Sequence, residues 1–186
     1  MVDLNYFISS LPMLLWGEKP RLEYAAFISQ CRELLDKSIA ERMQHLQLLP
    51  GNETSQDAIA TAWREFETFL RNVTSQIRQA KYRRGGERFE NHATRYFSVL
   101  SEHRLQEIMQ LTSPVERESQ LDRIRWEFLD TLSVGHRADI EGLELYALRL
   151  MLLEKIHSRQ LQAGQELFGK MVDEGLGQAE RARKEE

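Results

Sequence analysis

The residue types able to do acid–base, nucleophilic or metal chemistry are sparse and scattered along this chain. Five histidines (His45, His92, His103, His136 and His157) and one cysteine, Cys31, stand among 29 acidic residues. No two histidines are four apart, the spacing that puts a metal-binding pair on one helix face. Zinc takes about four ligands, and the histidine and cysteine spacing supplies no local pair, so no metal or cofactor is expected. Glu154 and His157 lie one helical turn apart, as do His103 and Glu107. A Glu-x-x-His pair serves di-iron bundles only beside further inward-facing carboxylates, so surface ion pairing or a satisfied polar contact is the simpler reading. There is no Gly-x-Ser-x-Gly elbow, no phosphate-binding loop and no Gly-x-Gly-x-x-Gly turn. Gly85-Gly86 falls between predicted helices rather than after a strand. No catalytic residue is assigned, and the chain reads as a non-enzyme.

Two features suit partner binding. Arg78, Lys81, Arg83, Arg84, Arg88 and Arg95 cluster around Tyr82, Phe89 and Tyr96. Cations interleaved with aromatics suit single-stranded nucleic acid. The plainer reading is a cationic helix C-terminus with a solvated loop, and next to it a docking patch for an acidic protein surface, both ahead of nucleic acid. Trp126 lies off the main apolar stripe of its predicted helix. It fits either a partner-facing anchor or a second internal packing face.

The elements that must position these residues all read as helices. Over 22–35, Tyr24, Phe27, Ile28, Cys31, Leu34 and Leu35 share one face. A short helix carries Ile39, Met43 and Leu46 and ends at Pro50-Gly51-Asn52. From Ser55 to Arg84, a heptad-like seam of Ile59, Trp63, Phe66, Leu70, Val73, Ile77 and Ala80 predicts a rod of about 45 Å. Thr54 and Asp57 resemble a capping pair at its start. A helix over Ala93–Leu111 follows, with Phe97, Leu100, Ile108 and Leu111 inward. Ser113-Pro114-Val115-Glu116 announces the next, with serine as cap and proline in the first helical position. Its buried side is Leu121, Ile124, Phe128 and Leu132, and Gly135 is its terminator. Asp139 caps a last helix carried to about Gly175, with Leu143, Tyr146, Ala147, Leu150, Leu153 and Phe168 apolar. Trp63, Phe66 and Phe128 read as core. A short strand at 5–9 is the sole β signal.

The expected architecture is therefore all-α: an elongated helical bundle with long antiparallel helices. One domain spans 1–176, with a seam between sub-lobes 1–52 and 53–176, and a charged tail occupies 177–186. Composition agrees: 41% of the 186 residues are hydrophobic and 29% charged, ordinary for a globular chain. The net charge of -4 gives no whole-molecule attraction to nucleic acid or anionic membrane. A lone cysteine forms no intrachain disulfide, which fits a reducing, cytoplasmic compartment. The apolar run 6–16 is shorter than the roughly 20 residues a bilayer needs. Asp3 stands where a secretory signal carries Lys or Arg, so the run reads as a buried anchor.

Two stretches carry a family resemblance. One is Tyr6-Phe7-Ile8-Ser9-Ser10-Leu11-Pro12-Met13-Leu14-Leu15-Trp16-Gly17, continued by Pro20, Tyr24, Phe27 and Cys31. The other runs from Pro114 through Glu116, Glu118, Leu121, Asp122 and Trp126 to Tyr146, Ala147, Leu148 and Leu150. They resemble a bacterial family without assigned function, encoded among V-type ATPase subunits. That family is similar in turn to the C-type central-stalk component of V/A-type ATPases. The resemblance implies a non-catalytic, all-helical adaptor between the membrane rotor ring and the central shaft built of the D and F components, serving proton or sodium transport. Its partners would be other ATPase subunits, placing it on the inner face of the membrane through them without inserting itself. The chain looks shorter than the C-type component and lacks its threefold repeat of helical lobes. A helical scaffold or regulatory module unrelated to ATPases is the alternative, followed by a nucleic-acid-binding helical protein.

Overall fold

The computed structural model describes residues 2–51, 57–82 and 102–159, with the side chains of 81, 82 and 102 excepted. Among them the chain is all-helical. Seven helices follow one another: α1 (Leu4–Ser10), α2 (Tyr24–Leu34), α3 (Lys37–His45), α4 (Ala58–Tyr82), α5 (Glu102–Gln110), α6 (Pro114–Leu132) and α7 (Ile140–Ser158). No described helix is long and apolar enough to cross a membrane.

Local chemistry sets several boundaries. The strand expected at 5–9 is instead α1, because the Asp3 carboxylate accepts hydrogen bonds from the N–H groups of Asn5 and Tyr6 and opens a helix there. A lone strand would have had no partner for its backbone. Ser113 caps α6 by accepting from the Glu116 N–H, with Pro114 in the first turn. Gly135, at φ 94°, ends the turn that follows α6, a conformation only glycine adopts without strain. Asp139 caps α7 through the Gly142 N–H at 2.8 Å. The expected extensions over 52–56, 83–101 and 160–175, with Phe97, Leu100 and Phe168, lie outside the described residues.

The buried residues form two cores. In the first, Ile59, Trp63, Phe66 and Leu70 of α4 meet Leu105 and Ile108 of α5, with Leu121, Ile124, Phe128 and Leu129 of α6. The Phe66 and Phe128 rings stack almost parallel, 5° apart at 4.0 Å between centroids, and Trp63 lies against both. Such ring pairs add about 0.5–1.5 kcal/mol beyond their burial. In the second, Phe7, Phe27, Ile28, Cys31, Ala40 and Met43 pack α1, α2 and α3 together. The heptad seam on α4 thus holds at its first four positions. Val73 and Ile77 pack at the margin and Ala80 is exposed.

Helix α7 belongs to both cores. Leu145, Leu148, Leu152 and Leu153 face the first, while Leu143, Ala147 and Leu150 face the second. A helix apolar around most of its circumference is a central one, and α7 is the strut against which α2, α3, α4 and α6 pack. The chain after α1 follows it in extended form. Tyr146 donates its hydroxyl hydrogen bond to the Pro12 carbonyl at 3.0 Å. Leu14 and Trp16 then turn inward while Met13 and Leu15 turn out. The anchor expected at 6–16 is therefore half an anchor. Phe7 is buried, whereas Tyr6 and Met13 are 71% and 81% exposed.

Candidate functional site

Arg78 sits on the exposed side of α4, and Lys81 occupies the last turn of that helix. The Lys81 side chain and residues Arg83, Arg84, Arg88 and Arg95 lie outside the described residues, so of the basic cluster only the Arg78 side chain is described.

Trp126 corrects one expectation. It is not a partner-facing anchor, because only 7% of it is exposed. The indole packs on Trp16 at 5.6 Å and lies under the Arg149 guanidinium at 5.5 Å. Arg123 covers the Trp16 ring at 5.2 Å. The reason is geometric. On α6, residues 122, 125, 126 and 129 are buried as well as 121, 124 and 128. The helix is covered over a wider arc than one stripe, and its second side takes the tryptophan. The Arg123 side chain over this pair is half-exposed, and Leu15, the chain neighbour of Trp16, is exposed.

The buried charges are organised into two groups. In the first, Arg125 of α6 is held in a fork by both oxygens of Glu67 on α4, at 2.6 and 3.2 Å, and donates to Asp122 at 2.8 Å. Glu67 and Asp122 are fully buried. Asp122 also accepts from Lys155 of α7 at 3.1 Å and from Arg159 just beyond it. Arg159 reaches Glu118 as well. Three cations therefore meet three carboxylates, and α4, α6 and α7 are stapled by charge. Burial works against the Arg125 charge, but Glu67 and Asp122 outweigh it and hold the guanidinium above its usual range. The pairs 130–149, 122–155 and 118–159 run in opposite directions along α6 and α7, as antiparallel neighbours require.

In the second group, Arg42 of α3 forks onto the buried Glu144 of α7 at 2.7 and 3.0 Å, and also approaches Asp57 and Glu141. Burial keeps the Glu144 carboxyl above its usual range despite Arg42, with Asp57 and Glu141 adding to the effect. Close by, His136 Nδ1 meets Asp139 Oδ2 at 2.7 Å. Ligand-type atoms of His136, Asp139 and Glu141 all lie within 4.8 Å of one another. Histidine pairs and the cysteine offer no such cluster. The signal missed is His136-x-x-Asp139-x-Glu141, one imidazole and two carboxylates across a helix start.

The Glu154–His157 spacing serves packing. The Glu154 carboxylate accepts from the Tyr24 N–H at 2.6 Å and so caps α2 from another helix. Both ring nitrogens of His157 are shielded, with no hydrogen-bond partner among the described residues. His103 and Glu107 are an exposed pair at 3.6 Å. A shallow groove of about 260 Å³ between α5 and α6 is lined by Arg104, Glu107, Ile108, Leu111, Glu116 and Gln120.

Among the described residues, fold and site together define an all-helical arrangement whose buried charges join helices to one another. Within the chain, residues 94–175, which include α5, α6 and α7, match the family described as a protein of unknown function, DUF2764. No curated protein and no solved structure is significantly similar to the chain.

Proposed function

We propose that this chain is a non-catalytic adaptor, a C-like element of the central stalk of a V-type ATPase that couples rotor ring to shaft. One observation carries the mechanical part of this reading. The Glu67–Arg125–Asp122–Lys155–Arg159 network locks three helices across 4 Å or less at each step. Breaking such a buried network leaves uncompensated charge, at about 3–5 kcal/mol, so the helices resist sliding past one another. A part that transmits torque needs that resistance. The ATPase assignment rests on the resemblance of the run Tyr6–Gly17 and of the Pro114–Leu150 stretch to the family encoded with those subunits. In this reading the bundle is elongated, its long helices are antiparallel, and it sits peripherally at the inner membrane face through other subunits. Arg78 and the cations after it dock on an acidic partner surface.

Affinity purification of the tagged full-length chain from its native host tests this. V-type ATPase shaft and ring subunits are expected in stoichiometric amount at moderate salt, with less recovered from an Arg78→Glu, Lys81→Glu variant. Recovery of the chain free of every rotary-ATPase subunit would sink the assignment. Retention of the charge-stapled fold without them would leave a helical scaffold of other purpose.

A further inference from the structure

We propose that His136, Asp139 and Glu141 form a binding site for a divalent transition metal ion, zinc by preference, at the start of α7. The donor set is one imidazole nitrogen and two carboxylates. It favours zinc and its neighbours over magnesium or calcium, which prefer oxygen alone. The spacing suits chelation. His136 Nδ1 and Asp139 Oδ2 stand 2.7 Å apart, and two ligands on one zinc ion, each about 2.1 Å from it, lie about 3.0–3.4 Å apart. An opening of a few tenths of an ångström, with a turn of the imidazole that aims Nδ1 at the ion instead of at Oδ2, converts the hydrogen bond into a chelate, Nδ1 giving up its proton and binding as neutral imidazole protonated on Nε2. A Glu141 oxygen lies within 4.8 Å of both.

The turn that carries the donors is fixed from two sides. Asp139 uses Oδ1 on the Gly142 N–H and leaves Oδ2 for the ion. A Cβ on Gly142 would come within 2.9 Å of the His136 carbonyl oxygen, so glycine is what lets the histidine turn close against the helix. Around the site Asp57, Glu141 and Glu144 share Arg42, and Arg137 follows His136 in the turn. The three donors are each partly exposed, so the ion enters from solvent and completes its coordination with water.

Titration calorimetry of the full chain with zinc chloride, in buffer free of chelators, is the test. One equivalent is expected to bind in the micromolar range. Asp139→Asn, which keeps the helix cap, and Glu141→Gln should each weaken it at least tenfold. His136→Ala should abolish it, and His45→Ala should leave it unchanged. Far-UV circular dichroism of the metal-free variants is expected to match the parent. Binding undiminished in His136→Ala and Glu141→Gln would overturn the site. So would magnesium bound as tightly as zinc, or no heat at millimolar zinc, which would leave His136 and Asp139 as a helix-capping strut alone.

Discussion

Arg125 is the residue on which the interior charge balance turns. It is 7% exposed and bridges Glu67 to Asp122. Arg125→Ala would remove the guanidinium that forks onto the buried Glu67, while Asp122 keeps Lys155 and Arg159, and the expected loss is about 3–5 kcal/mol, read from the denaturant midpoint. Cys31 gives a second test at this scale. Burial pushes its thiol up to about 12, and it is fully enclosed by the second core. Alkylation by iodoacetamide at pH 8 is expected to proceed only on unfolding, because the thiolate is the reactive form. Rapid labelling of the native chain would mean that the α2 packing opens. Glu127 supplies a pH dependence. The hydrogen bond from Arg104, outweighing burial, holds its carboxyl below the usual range. Its contribution is therefore present above the unfolded carboxylate pKa, about 4.3, and lost as pH falls through the lowered folded value. The stability difference between the parent and Arg104→Gln should shrink between pH 7 and pH 3.

At the scale of elements, the helices are held at their ends as much as along their faces. The first N–H of α2 finds its acceptor on α7, in Glu154. Glu154→Ala removes that cap and is expected to cost about 1 kcal/mol, with enhanced amide exchange confined to the first turn of α2. Uniformly faster exchange would mean that Glu154 supports the whole core instead. The capping residues were legible in the sequence where they are local. Ser113 before Pro114 and Asp139 before α7 follow from residue types three apart. A cap given by a residue 130 positions away has no local signature, and neither has the Glu67–Arg125 fork between α4 and α6. The stripe on α4 was readable through Leu70 because one side of that helix is covered. On α6 the stripe missed Trp126, because a helix wrapped on two sides has no single stripe.

For the whole molecule the consequence of α7 is shared fate. Both cores pack on it, so Leu148→Ala, which excavates the side facing the first core, should lower the stability of all described helices together by about 2–5 kcal/mol. Tryptophan fluorescence reports the first core, where Trp16, Trp63 and Trp126 pack. Far-UV circular dichroism reports helices of both. The two unfolding curves are expected to coincide, and separate transitions would show that α1, α2 and α3 unfold on their own.

The sequence by itself determined that the chain is helical. Helix formation is written in three- and four-residue apolar recurrence, in breakers and in caps, all within a few positions of one another. It also marked Trp63, Phe66 and Phe128 as interior, since apolar rings on a stripe have nowhere cheaper to go. Only the tertiary structure decided that α7 is central, that Trp126 faces Trp16, that Asp122 serves three cations, and that His136, Asp139 and Glu141 converge. Those outcomes depend on which helix lies beside which, and pairing between distant segments is set by the fit of whole surfaces, which no short window of residues records.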